Sequence, residues 1–175
     1  QLRHISRDWL GRAGRREYTF FMGYFDDTYL RRSRVFVLLQ NNKPVGYTNL
    51  IPAYAKGKAS IDHLRGMDGI STVGMHFLLS QVIETLHGEG IKTLNIGLSP
   101  LSGIDESKTD VLSRVVLRIV RTLGTSYYSF GGLEQFKNKF KPEWTRQSVV
   151  YSGAPTNLIR ITRDIEHASS YGNRK

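Results

Sequence analysis

Residues 58–98 constrain the fold more than any other stretch of this chain. Lys58–Leu64 (KASIDHL) alternates in character and reads as a strand. Strict alternation puts Ala59, Ile61 and His63 on one face and Ser60, Asp62 and Leu64 on the other. Thr72–His87 then carries Met75, Leu78, Leu79, Val82, Ile83 and Leu86 at i, i+3, i+4 spacing, the stripe of an amphipathic helix. Ser71 or Thr72 suits its N-cap, and Gly88 and Gly90 follow its end. Lys92–Leu98 (KTLNIGL) alternates again, with Leu94, Ile96 and Leu98 on one face. A strand, a helix and a strand in this order make a parallel crossover.

The segment before it pairs differently. Arg34–Gln40 (RVFVLLQ) is a β-branched and apolar run. Asn41-Asn42-Lys43-Pro44 is a turn signal, and Val45–Ile51 is the next strand, so the two form an antiparallel hairpin. Upstream, Leu2, Ile5 and Trp9 predict a short helix over 1–10, GRAGRRE is a basic loop, and Phe25–Arg32 holds a helical turn or two with Asp26 or Asp27 near its start. Downstream, Asp110–Leu123 is a second long helix with Leu112, Val115, Val116, Ile119, Val120 and Leu123 inward. Its outer face is basic, with Arg114, Arg118 and Arg121. A strand at Gln147–Tyr151, a helix near Thr156–His167 and a flexible tail over 168–175 complete the chain. The order implies a mixed sheet flanked by helices, an α/β or α+β fold in one domain spanning 1–175.

Composition narrows the function classes. The 175 residues are 39% hydrophobic and 23% charged, ordinary for a soluble fold. No apolar run approaches the length of a membrane span. Cysteine is absent, which excludes disulfides and thiolate metal sites. The five histidines have no metal-ligand spacing, so no metal is expected. A net charge of +10 attracts polyanions: nucleic acid, anionic lipid or a phosphorylated cofactor. The chain opens on Gln1, and the expectation is a piece of a longer protein.

Three stretches can carry chemistry. In SIDHLR, Asp62 and Arg65 face opposite sides of a regular strand, and they converge only if the strand bulges or ends between them. In LNIGLSPLSG, Asn95 and Ser99 lie where a crossover strand ends, a usual place for a ligand crevice. In GGLEQFKNKFKPEW, residues 131–144, helical spacing puts Leu133, Phe136 and Phe140 in one stripe. Lys137 falls in that stripe, about 40° from Leu133. It must snorkel or meet a partly buried anion, whereas Lys139 and Lys141 point elsewhere. Other chemistries fit less well. The loop RGMDGIS before the long helix has the wrong spacing for a pyrophosphate cradle, and Asp68 repels phosphate there. Ser99 has no base nearby in sequence for a hydrolase triad.

GYFDDTYL, SIDHLR, LNIGLSPLSG and YSFGGLEQFKNKFKPEW, in that order around the hairpin and long helix, resemble the C-terminal synthase region of the phosphatidylglycerol lysyltransferases. The resemblance runs over roughly 1–152, and the pattern GLxxFKxKFxPxW is matched at Gly132, Leu133, Phe136, Lys137, Lys139, Phe140, Pro142 and Trp144. It implies an acetyltransferase-like (GNAT) domain, the second of a tandem pair, attached to a multispanning membrane part at the cytoplasmic face of a bacterial membrane. The reaction implied is transfer of an aminoacyl group, lysyl first, from aminoacyl-tRNA to a glycerol hydroxyl of phosphatidylglycerol, which protects against cationic peptides. No cofactor is implied beyond aminoacyl-tRNA as co-substrate. The resemblance falls on Asp62, Arg65, Asn95, Lys137 and Lys139; Asp62, Arg65 and Lys137 are expected to be catalytic, and Asn95 and Lys139, together with Ser99, to bind substrate. Asp62 would act as base or orient the α-amino group, Arg65 would hold Asp62 or a phosphate, and Lys137 would serve an oxyanion or phosphate. Arg114, Arg118 and Arg121 would attract tRNA or the membrane surface. Where many relatives have Met-Asp-Phe, this chain has Met75-His76-Phe77, which bears on the amino acid transferred. The competing expectations are a CoA-dependent N-acetyltransferase and a non-catalytic module binding tRNA or anionic lipid.

Overall fold

A computed structural model of the chain describes residues 1–12, 17, 24–51, 55–99, 130–147, 150, 152–154 and 156–170. The helix expected over 110–123, with Arg114, Arg118 and Arg121, lies outside the described residues, as do residues 100–103 and most of the strand expected at 147–151. The chain divides into two compact units, Gln1–Leu98 and Ser99–Lys175, where the sequence pointed to a single domain.

The first unit begins with α1 (Leu2–Gly11) and α2 (Asp27–Arg32). Asp26 caps α2, its carboxylate accepting from Tyr29 N at 2.7 Å. Strands β1 (Arg34–Gln40), β2 (Lys43–Ile51), β3 (Lys58–Gly66) and β4 (Thr93–Asn95) form one sheet in that order. The first two pairings are antiparallel and β3–β4 is parallel, as a crossover through α3 (Thr72–Gly88) requires. The β1–β2 turn rests on Asn41 and Asn42, with φ of 50° and 61°. Asparagine tolerates this left-handed pair better than most residues, and it matches the twist of a tight hairpin. The second strand starts two residues earlier than its apolar run predicts, because a bulge after Leu38 admits Pro44.

The core lies on both faces of the sheet. On one, Tyr47 of β2 packs with Ile5 of α1 and Leu30 of α2. On the other, α3 buries Leu78, Leu79, Val82 and Leu86, while Ile83 stays exposed at the edge of the stripe. Ser71 caps α3 by accepting from Gly74 N. Gly46 and Gly66 let α3 approach closely, since a Cβ on Gly66 would stand 2.7 Å from Met75 Sδ.

Strand β4 is shorter than expected. Asn95 Oδ1 accepts from Gly97 N at 2.8 Å, and Gly97 takes φ 82°, so the chain turns out of the sheet and leaves Leu98 exposed. The second unit contains α4 (Phe130–Asn138) and α5 (Asn157–Ser170). Helix α5 runs to Ser170, three residues into the segment expected as a tail.

Candidate functional site

The register of β2 against β3 shifts between two pairs, Thr48↔Leu64 and Leu50↔Ile61. Asn49 therefore stands opposite two residues, Asp62 and His63, and β3 is bulged there. The bulge overturns strict alternation. Asp62, expected across the sheet from His63, turns to the same side as His63 and Arg65, the side covered by α1 and α2. Two buried side chains of β2 occupy the broken ladder. Asn49 Oδ1 accepts from His63 N at 3.1 Å, and Thr48 Oγ1 donates to the His63 carbonyl at 2.6 Å.

A polar cluster forms around the bulge. Tyr29 of α2 donates its hydroxyl to Asp62 Oδ2 at 2.8 Å, and Asn49 Nδ2 donates to the same hydroxyl oxygen at 3.2 Å. His63 Nε2 lies 3.7 Å from Asp62 Oδ2, beyond hydrogen-bond length. His63 Nδ1 is 3.4 Å from the Tyr47 hydroxyl, and its ring stands edge-on to Tyr29 and Tyr47. The Asp62 side chain is only 3% exposed, although its residue keeps some backbone at the surface. Burial, then the hydrogen bond to Asp62, raises the Tyr29 pKa above the ordinary phenol value. Burial pushes Tyr47 up to about 12. Both phenols are neutral at neutral pH, and Tyr29 is the one that donates to Asp62.

Arg65 shares this side of the sheet and takes a different partner from the one expected. Its guanidinium pairs with Glu17 Oε1 at 2.7 Å, donates to Ser6 Oγ, and stacks on Trp9 with 5.1 Å to the ring centroid. Glu17 also accepts from Phe25 N at 2.8 Å. Arg65 thereby ties β3 to α1 and to the segment before α2. Asn95 ends β4 beside Ser60, two residues before Asp62, on the adjoining parallel strand. Its Oδ1 accepts from Gly97 N, which leaves the amide nitrogen and one oxygen lone pair for a substrate. Two shallow clefts on this unit, one of about 440 Å³ between α1 and α2 and one of about 270 Å³ beside Leu86 and Ile91, are not lined by Asp62.

In the second unit, Lys137 is 4% exposed on α4. Burial lowers its pKa to about 8, because taking an ammonium out of water disfavours the charged form. Phe136 and Phe140 pack at 5.8 Å between centroids. The helix ends at Asn138 rather than at Phe140. Phe140 N and Lys141 N turn back onto the Lys137 and Asn138 carbonyls, and Lys141 takes φ 48°. Lys139 is exposed in that turn, and Trp144 Nε1 donates to Asn138 Oδ1 at 2.9 Å. Ser99, at the start of the unit, has a buried Oγ with no hydrogen-bond partner among the described residues.

Sequence reasoning singled out Asp62, Arg65 and Lys137, whose side chains the structure buries, and passed over Tyr29, Asn49 and Glu17, which hydrogen-bond around the first two. Asn49 did carry a signal: an amide in the middle of the apolar run YTNLI. Glu17 carried none, since its partner is 48 positions away.

Comparison with known proteins places these residues in a family. The model for the C-terminal region of phosphatidylglycerol lysyltransferase matches residues 1–151. A phosphatidylglycerol lysyltransferase of Bacillus subtilis is 29% identical over 152 residues, covering 86% of this chain and 18% of the relative. One from Staphylococcus aureus is 26% identical over 171 residues, covering 95% of this chain and 20% of the relative. The chain thus spans about a fifth of the length of these relatives. Among solved structures, L-PGS from Bacillus licheniformis superposes with a TM-score of 0.71 at 29% identity, covering 95% of this chain and 51% of that one. The C-terminal domain of a putative lysylphosphatidylglycerol synthetase from Agrobacterium fabrum superposes with a TM-score of 0.63 at 28% identity, covering 82% and 41%.

Proposed function

The chain belongs to the phosphatidylglycerol lysyltransferase C-terminal family, and on that premise we propose that it forms part of an aminoacyltransferase acting on phosphatidylglycerol. The donor is an aminoacyl-tRNA, lysyl-tRNA first, and the product lipid carries less negative charge, which lowers the binding of cationic peptides. One observation carries the proposal: the family match spans 1–151 and so includes both the buried carboxylate of Asp62 and the buried lysine of α4.

The chemistry needs no external energy, because an aminoacyl ester is already activated. The glycerol hydroxyl attacks the ester carbonyl carbon and gives its proton to a base. The carbon–oxygen bond to the tRNA ribose then breaks, and the ribose oxygen leaves with a proton. One ester forms and one is lost. We assign the base to Asp62, whose acceptor oxygen receives the Tyr29 hydroxyl, itself held by Asn49. Lys137 supplies positive charge to an oxyanion or a phosphate of the substrates, and a pKa near 8 leaves it mostly cationic at neutral pH. Arg65, paired with Glu17, holds β3 beneath Asp62. Asn95, Ser99 and Lys139 contact substrate, and Arg114, Arg118 and Arg121 face tRNA or the membrane. Asp62 is 3% exposed and Lys137 4%, so the substrates must displace part of what covers each. The working enzyme includes further parts of a longer chain, a first domain of the same kind and a membrane part, with this portion at the cytoplasmic face.

Mass spectrometry of lipids tests this directly. Cells making the parent chain should accumulate an aminoacyl-phosphatidylglycerol, and Asp62→Ala and Lys137→Ala should each abolish it. A well-expressed parent chain that makes none sinks the proposal and leaves the binding-module alternative.

A further inference from the structure

Asn49 is buried completely at the centre of β2, an expensive place for an amide unless every group on it is used. Its orientation follows from its neighbours. The backbone N–H of His63 can only donate, so the atom facing it at 3.1 Å must be Oδ1. The other end, 3.2 Å from the Tyr29 hydroxyl oxygen, is then the amide nitrogen, which can only donate. Tyr29 has one hydroxyl hydrogen. With its oxygen accepting from Asn49, that hydrogen is directed to Asp62 Oδ2, 2.8 Å away. The three side chains form a chain of donors with a fixed direction, anchored in the backbone of the bulge.

We propose that Asn49 is a positioning residue for the transfer reaction: by fixing the Tyr29 hydroxyl as a donor to Asp62, it presents Asp62 as an oriented acceptor. This role rests on the function proposed above. It separates from the role of Asn49 in the bulge, because the two ends of the amide do different things. Oδ1 replaces a lost ladder bond, and Nδ2 sets the direction of the phenol.

The separation makes the test. Asn49→Asp keeps an oxygen for the His63 N–H and replaces the donor to Tyr29 by a second acceptor. Tyr29→Phe removes the relay without touching the bulge. Both are made in the full-length parent chain, alone and together, and aminoacyl-phosphatidylglycerol formation is read beside thermal unfolding. Each single variant should lose about tenfold in transfer, the scale of one hydrogen bond to a charged group. The double variant should lose no more than Tyr29→Phe alone, since Asn49 acts through the phenol. Losses that multiply, or Asn49→Asp with wild-type transfer, overturn the role. If Asn49→Asp does not fold, Tyr29→Phe decides: wild-type transfer overturns the relay, and a tenfold loss with unchanged melting supports it. No aminoacyl lipid from the unsubstituted parent would instead remove the proposed function itself, an outcome distinct from all of these.

Discussion

At the residue scale, Asp62 and Arg65 do different work three positions apart. Asp62 accepts a phenol hydrogen in a nearly closed polar cluster, and Arg65 is a tie between β3, α1 and Glu17. Their variants should therefore fail differently. Asp62→Asn keeps shape and removes the charge and the basicity, so transfer should fall by about 100-fold or more, the usual worth of a positioned base. Melting should stay within a few degrees. Arg65→Met breaks a largely buried ion pair and should cost about 3 kcal/mol of stability in a urea titration. Its loss of transfer should follow the loss of folded protein. If Arg65→Met folds normally and still transfers nothing, Arg65 meets a substrate phosphate and the structural account of it is wrong. The sequence made Asp62 and Arg65 visible because charges are unusual within a strand. It could not show what they hold, since Glu17 and Tyr29 come from distant segments.

At the element scale, periodicity was the reliable guide and register was not. The stripe of α3 and the existence of β1 to β3 follow from neighbouring residues, and they were legible. The bulge at Asp62 and His63 depends on which residues of β2 lie opposite, which no local pattern encodes. Helix α4 belongs to the legible kind: the period alone put Lys137 in the apolar stripe, and it is buried. That burial has a pH signature. The folded pKa of Lys137 is about 8, below the ordinary lysine value of 10.5 that the unfolded chain approaches. Between those values the folded chain binds fewer protons than the unfolded one, so stability rises with pH across that window. Below it, the cost of burying the ammonium is present in full. Lys137→Met should remove this slope, seen as a difference between the two proteins in unfolding experiments over pH 8–10.5. Activity should run the other way. If Lys137 serves as a cation, transfer declines as pH rises through about 8, and Lys137→Arg, charged throughout, flattens that limb wherever it retains activity. An alkaline limb unchanged in Lys137→Arg would assign the limb to another group.

At the scale of the whole molecule, the net charge of +10 acts as a field rather than through any one pair. Four arginines of the described residues are matched: Arg3 with Asp27, Arg12 with Asp8, Arg34 with Glu89 and Arg65 with Glu17. The excess is therefore carried by the remaining lysines and arginines, and the substrates proposed for this family are both polyanionic surfaces. Attraction of that origin is long-ranged and screened. From about 0.1 M to about 1 M salt the Debye length falls from about 10 Å to about 3 Å, and each basic residue near an anionic membrane is worth about 1 kcal/mol before screening. The chain should sediment with vesicles containing phosphatidylglycerol and not with purely zwitterionic ones, and the bound fraction should collapse over that salt range. Arg114, Arg118 and Arg121 changed together to Gln should weaken binding without altering the melting of the chain. Binding that survives high salt would mean that apolar insertion holds the chain to the bilayer. In that case exposed side chains such as Val73 and Phe77 of α3 would replace the arginines as the residues to substitute.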